Sequence, residues 1–351
     1  MATTVRVPAS TTRAPVRASI RSAPFRPRAA PVVASVPALP GMPVLGNLLA
    51  FRRDRLGIHD DAALLGPIAR FSIANIPIYT CADADLAHDI LVTKAASFVK
   101  SAGLHYLAPV LGDGLLTAEG DDHKRHRKLL APAFAPKRLA AYGDVMVEET
   151  RRTTDTWRAG KQVDLAQDIM EMTLSIAGRT LFGAEVRGDA ATVGRGLELA
   201  MRATIENLSS PIQLGYAWPL PRHLRMRRAV KMLDDVVFRL IADGRKAGAS
   251  PGFAGARSNA ESAERCAGPI DRGDVLSMLL LANDEEGGLS DQQVRDEVMT
   301  LLLAGHETTA NALAWTWYEL GRNPAALARL TAEVDAAVGT RPVTIDDLPA
   351  M

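Results

Sequence analysis

Apolar residues recur at three- and four-residue spacing through most of this chain, which predicts a succession of helices, each carrying one apolar stripe. The pattern holds from Asp83 to Val92, Asp122 to Phe134, Lys137 to Arg158, Leu165 to Phe182, Ala190 to Asn207, Arg225 to Lys246 and Asp274 to Ala282. The exception comes early: RFSIANIPIYT, from Arg70 to Thr80, is rich in Ile, Phe and Tyr and is interrupted at Ala74-Asn75. Two short strands around a turn are expected there. From Ala249 to Arg272, Gly, Ser, Ala and charges follow no period, which predicts a mobile surface loop. The longest helix opens at Ser290, a capping residue answered three positions later by Gln293. With no proline before Pro324 it continues to about Arg322, a rod of about 45 to 50 Å. Asn323-Pro324 then opens another helix, AALARLTAEVDAAV, which Gly339 ends.

Composition narrows the class. With 351 residues, 47% of them hydrophobic, the chain can bury one large core or two modest ones. A net charge of +1 gives no global attraction to nucleic acid or to an acidic membrane. Two cysteines, Cys81 and Cys266, are too few for a disulfide framework and wrongly spaced for a zinc site, so a reducing compartment is expected. Residues 1–36 differ from the rest, with Arg6, Arg13, Arg17, Arg21, Arg26 and Arg28 among Ala, Ser, Thr and Pro, and no acidic residue before Asp54. That leader reads either as a disordered extension or as an organelle transit peptide. The uncharged run from Pro31 to Phe51 is long enough to span a bilayer, but Pro31, Pro37, Pro40, Pro43, Gly41 and Gly46 would break a helix there. It predicts an extended segment laid along the domain and no transmembrane helix.

The candidate chemistry lies in the middle of the long helix, at Ala304-Gly305-His306-Glu307-Thr308-Thr309, between the apolar runs Met299 to Leu303 and Ala312 to Trp317. Gly305 costs about 1 kcal/mol relative to alanine inside a helix, and an ionisable Glu307 in apolar surroundings is expensive unless partnered. Thr308 can turn its hydroxyl back to the carbonyl of Ala304, loosening the ladder and opening a groove. Ala304, Thr308 and Ala312 share one face with Gly305 beside them, a flat stripe that admits a planar group and a diatomic molecule. A zinc protease motif would need a second histidine at position 310, which is Ala310. The plainer alternative is tight helix packing through small residues, with His306 and Glu307 on a solvated edge.

AGHETT, preceded by LSDQQVRDEVMTLLL and followed by ANALAWTWYELGRNP, resembles the distal helix of cytochromes P450. The segment GDDHKRHRKLLAPAF, Gly120 to Phe134, resembles a second family helix, in which an aromatic residue is followed four positions later by arginine. Here His123 takes the aromatic place and Arg127 matches the arginine. Alone, that basic run reads as a solvated face. The resemblance covers Pro37 to Met351 and implies a mainly α, P450-like fold with a small β-sheet near the N-terminus, incomplete at the C-terminus. It implies haem b as cofactor, with His123 and Arg127 donating to its propionates. Ala304 and Gly305 would border the oxygen pocket, and Glu307 with Thr308 would form the catalytic acid-alcohol pair that relays protons during cleavage of dioxygen. Electrons would come from NAD(P)H through a ferredoxin or flavoprotein reductase docking on Lys124, Arg125 and Lys128.

The implied activity is insertion of one oxygen atom into a small apolar substrate by a soluble, cytoplasmic monomer, or by an organelle-targeted one if the leader is a transit peptide. The segment from Lys100 to Leu116 and the helices from Ala190 to Lys246 would line the access route, apolar enough for fatty acids, terpenoids or steroids. The axial cysteine and the ExxR helix before it are absent, and neither Cys81 nor Cys266 lies near the distal motif in the implied arrangement. The 351 residues are therefore expected to be a fragment with no metal ligand, inactive alone. Two alternatives stand beside this reading: a peroxygenase-like relative needing no dioxygen activation, and a non-catalytic helical protein that binds small apolar molecules.

Overall fold

The computed structural model describes residues 36–350 apart from 75, 209, 211–215, 217, 250–270 and 285–286. Most of the loop expected from Ala249 to Arg272, and Cys266 with it, lies outside these residues. The expected extended segment runs along a sheet edge at Pro37–Leu39: Arg70 N–H donates to Pro37 O and Leu39 N–H to Arg70 O, both at 2.8 Å. Two short helices follow, α1 (Leu48–Arg53) and α2 (Gly57–Ala63). The expected strands are β1 (Ile68–Ile73) and β2 (Ile76–Cys81), antiparallel with Phe71 opposite Ile78. Alternation places Ala69, Phe71 and Ile73 on the buried face of β1, against Leu48, Phe51, Ile58 and Ala62. The turn between the strands takes Ala74 to φ +51°.

Helix α3 (Ala84–His88), capped by the Asp83 carboxylate, runs into a π turn at Asp89–Thr93. Two short helices then interrupt the segment read as an access route, α4 (Ala102–His105) and α5 (Ala108–Leu111). The predicted helices follow within a few residues of their expected ends: α6 (Gly120–Leu130), α7 (Pro136–Thr154), α8 (Leu165–Leu181), α9 (Ala190–Leu208), α10 (Pro221–Ala249) and α11 (Val275–Leu281). The largest difference is at Ala131–Phe134, where Pro132 supplies no N–H and the helix tightens to a 3₁₀ turn. A two-residue hairpin, β3 (Asn283–Asp284) and β4 (Gly287–Gly288), leads to α12 (Asp291–Arg322) and α13 (Pro324–Ala337).

The main core gathers around α8, α9, α10 and the first part of α12, with Leu174, Val193, Leu233, Val298 and Leu302 all fully buried. Along α12 every residue from Val294 to Leu302 is buried, whereas beyond Ala310 none is. Nor does α13 bury any residue. No helix among the described residues is long and apolar enough to cross a membrane.

Candidate active site on the long helix

The expected capping box starts α12: Gln293 N–H donates to Ser290 Oγ at 3.2 Å, and Ser290 N–H donates to Gln293 Oε1 at 2.9 Å. Four turns later comes the polar interruption. Thr308 Oγ1 donates to Ala304 O at 2.8 Å, as its position predicts, while the neighbouring Thr309 reaches Gly305 O only at 3.5 Å. Ala304, Gly305, Thr308 and Ala312 are all exposed, so the small-residue stripe lies uncovered by the described residues. Glu307 is half-buried, and desolvation pushes its carboxyl above the usual carboxylate range.

The plainer alternative, tight packing with a solvated edge, does not describe this helix. A Cβ at Gly305 would meet Leu181 at 3.4 Å and Ala177 at 3.7 Å, ordinary contact, so packing against α8 does not require glycine. His306 is core rather than edge. It is 1% exposed, its Nδ1 stands 2.7 Å from Leu302 O, and burial lowers its pKa, which keeps the ring neutral with Nδ1 as the donor.

On α6, His123 is half-buried and Arg127 exposed, one turn apart on the same face. The His123 pKa is lowered, first by burial and then by the nearby charges of Lys100 and Arg127, with Glu119 opposing them. Arg127 meets no carboxylate among the described residues. Lys100, which sequence reasoning treated only as the start of the access segment, donates from Nζ to Leu115 O (3.0 Å) and Ala118 O, while its N–H donates to Glu119 Oε1 at 2.7 Å. Two cations, Lys100 and Arg127, and the His123 ring with one carboxylate, Glu119, beside them make an anion-seeking face, a donor set that would fit the two carboxylates of a haem. Cys81, the described cysteine, is exposed at the end of β2, its thiol directed to Asp83 O at 3.4 Å.

A second polar group on α12 went unread in the sequence. Arg295, Asp296 and Glu297 are each no more than 5% exposed. Arg295 donates from Nε to Asp234 Oδ1 at 2.8 Å and from Nη1 to Asp296 Oδ1 at 3.0 Å. Asp296 Oδ2 accepts Asp113 N–H at 3.0 Å, and Glu297 Oε2 accepts Leu115 N–H at 3.3 Å. Glu297 Oε1 lies 2.8 Å from His126 Nδ1, close enough for a charge contact but off the line of a hydrogen bond. Burial raises the Glu297 pKa to about 7 and lowers that of His126, so both groups are driven toward their neutral forms. The only sequence signal for this group was three consecutive charges in an apolar helix, without any indication of their partners.

The family model for cytochrome P450 matches residues 36–351. Among curated relatives, cyclooctatin synthase of Streptomyces melanosporofaciens is 32% identical over 89% of this chain and 64% of its own length. Cyclooctat-9-en-7-ol 5-monooxygenase of the same organism is 28% identical over 88% of this chain and 63% of its own. Pentalenene oxygenase of Streptomyces avermitilis is 29% identical, with 88% and 65% covered. This chain thus spans somewhat less than two thirds of the length of these relatives. The chain belongs to the cytochrome P450 family.

Proposed function

We propose that this chain forms the distal side of a haem-thiolate monooxygenase that inserts one atom of dioxygen into an apolar organic substrate. The observation that carries the reading is the uncovered stripe Ala304, Gly305, Thr308, Ala312 with the half-buried Glu307 at its edge. When bound, haem supplies the iron at which dioxygen is activated and electrons are received. His123 and Arg127 would hold its propionates, and Ala304 and Gly305 would leave room for the diatomic.

With its hydrogen committed to Ala304 O, the Thr308 hydroxyl keeps two lone pairs and would act at the stripe as a hydrogen-bond acceptor. Glu307, its pKa raised by burial, keeps a proton at a pH where an exposed carboxyl has lost it, which suits a group that gives up and regains a proton. The names of two relatives point to an alkene and an alkenol as their substrates, and a hydrocarbon-rich substrate of that kind is the class proposed for this chain. Electrons arrive from NAD(P)H through a ferredoxin or flavoprotein reductase on the basic face of α6. On that face Lys124 and Lys128 are exposed, Arg125 is half-buried, and Lys124 is engaged by Asp121 at 2.8 Å.

In this reading neither Cys81 nor Cys266 is the axial thiolate, so these 351 residues alone do not give thiolate-ligated haem. Two experiments test the reading. Reduced and treated with carbon monoxide, the 351-residue chain with added haem should show no Soret band of thiolate ligation; the band would overturn the second part. In a haem-loaded form that carries the thiolate, Thr308→Ala and Glu307→Gln should each lower product formed per electron by about 10- to 100-fold. Unchanged coupling in both variants would overturn the first part.

A further inference from the structure

The two halves of the candidate site sit on different helices, the proton-handling pair on α12 and the anion-seeking face on α6, and the buried carboxylates of α12 join them. Residues Gly112–Leu115 form a strap laid directly on α12. Gly112 has φ +60°, and a Cβ there would lie about 2.1 Å from the Asp296 carboxylate. At Gly114 a Cβ would come within 2.5 Å of Thr300 Oγ1 and 2.6 Å of Asp296 O. No side chain fits at either position, so the strap backbone rests against the helix and is pinned there by Asp296 and Glu297 through the N–H groups of Asp113 and Leu115. Lys100 holds the strap from its other side through Leu115 O and Ala118 O. From the strap the chain passes in five residues to α6, where His126 returns to the same Glu297 carboxyl. Leu129 and Leu130 of α6 line one cleft with Leu279, Leu289, Gln293 and Glu297, an apolar seat for α6 beside the carboxyl.

We propose that Glu297 is a positioning residue: gripping the strap with one oxygen and meeting His126 with the other, it fixes the place at which α6 presents His123 and Arg127 relative to Glu307 and Thr308 on α12. The inference rests on the haem-anchoring reading of His123 and Arg127 for its purpose, and on the geometry alone for its existence. Glu297 touches none of the four site residues, so its effect must pass through the strap and α6.

The test compares the full 351-residue chain with Glu297→Ala and Glu297→Gln by amide hydrogen exchange and by NMR titration of the His123 ring. In Glu297→Ala the amides of Leu115 and of residues 123–127 should exchange at least tenfold faster while those of α8 and α10 keep their rates. The His123 pKa should also rise toward that of an ordinary histidine as the ring moves away from Lys100. Glu297→Gln, which can accept from Leu115 and donate to His126 without charge, should restore both readouts. If Glu297→Ala does not fold, His126→Ala, which removes only the α6 side, carries the same test with Leu115 still protected. Unchanged α6 exchange and unchanged His123 titration in the folded variant overturn the proposal, as does a Gln variant that behaves like Ala. Failure of the haem-anchoring reading shows separately: His123→Ala and Arg127→Ala would then leave haem retention unchanged in a haem-loaded form of the protein, whatever the Glu297 variants do.

Discussion

Val294 to Leu302 and Ala312 to Tyr318 are two stretches of one helix, and their environments are the reverse of what their compositions suggest. The first contains Arg295, Asp296 and Glu297 and is buried all round; the second contains no charge and is largely exposed, with Trp315 at 65% and Trp317 at 47%. Burial here is decided by what lies alongside. The first stretch is enclosed by the α5–α6 strap, α10 and the core, and each of its charged groups finds a partner there. Past Ala310, Leu313 and Ala314 stay half-buried against Ile169 and Met172 of α8, while Trp315, Trp317 and Tyr318 are exposed and no residue of α13 is buried, a surface of the kind that marks contact with other protein.

Removing a partner from the enclosed stretch should have the largest effect. Asp296→Ala leaves Arg295 buried beside a lost acceptor and frees the Asp113 N–H, so a loss of about 3 to 5 kcal/mol is expected in urea unfolding. A loss below about 1 kcal/mol would mean that water, not the carboxylate, serves these groups.

The next effect is one of pH. Because the folded protein raises the Glu297 pKa to about 7 from its ordinary 4.5, the proton is held more tightly in the folded state. The stability it contributes is therefore full below pH 4.5 and lost as pH rises through 7. Measured as the difference between wild type and Glu297→Gln, stability should fall by about 3 kcal/mol between pH 4.5 and 8. The lowered His126 and His306 pKa values act in the opposite direction, gaining stability as pH rises, and cancel in that difference to the extent that Gln keeps their surroundings. A flat difference curve would place Glu297 in water.

The exposed stretch should respond least. Trp317→Ala is expected to change unfolding free energy by no more than about 0.5 kcal/mol, and the tryptophan emission it removes should be open to acrylamide quenching. A cost above about 2 kcal/mol would show that this face is covered in solution. Thr308→Ala should be equally silent in stability, since an exposed back-bond within one helix supports no packing. Its effect should appear only in chemistry.

Much of the fold was legible because its signals are local. The Ser290–Gln293 box, the proline that ends α12, the alternation of β1 and the Thr308 bond to Ala304 each involve residues no more than four apart. The short helices α1, α2, α4 and α5 escaped because a helix of four to seven residues shows at most two turns of periodicity. His123, Arg127, Glu307 and Thr308 were found through motifs. Lys100 and Glu297 were not, because their partners lie 15 to 182 residues away and leave no trace in local spacing.

By itself, then, the sequence determined the longer helices to within a few residues, the strand pair, and the chemical character of the stripe on α12, since backbone hydrogen bonding and side-chain periodicity act over a few residues. Only the tertiary structure decided that a charged stretch is enclosed while an aromatic one is bare, that His306 is core, and that a carboxyl on α12 meets both the strap and α6. Desolvation and pairing depend on which distant segments arrive alongside, and no local pattern encodes that.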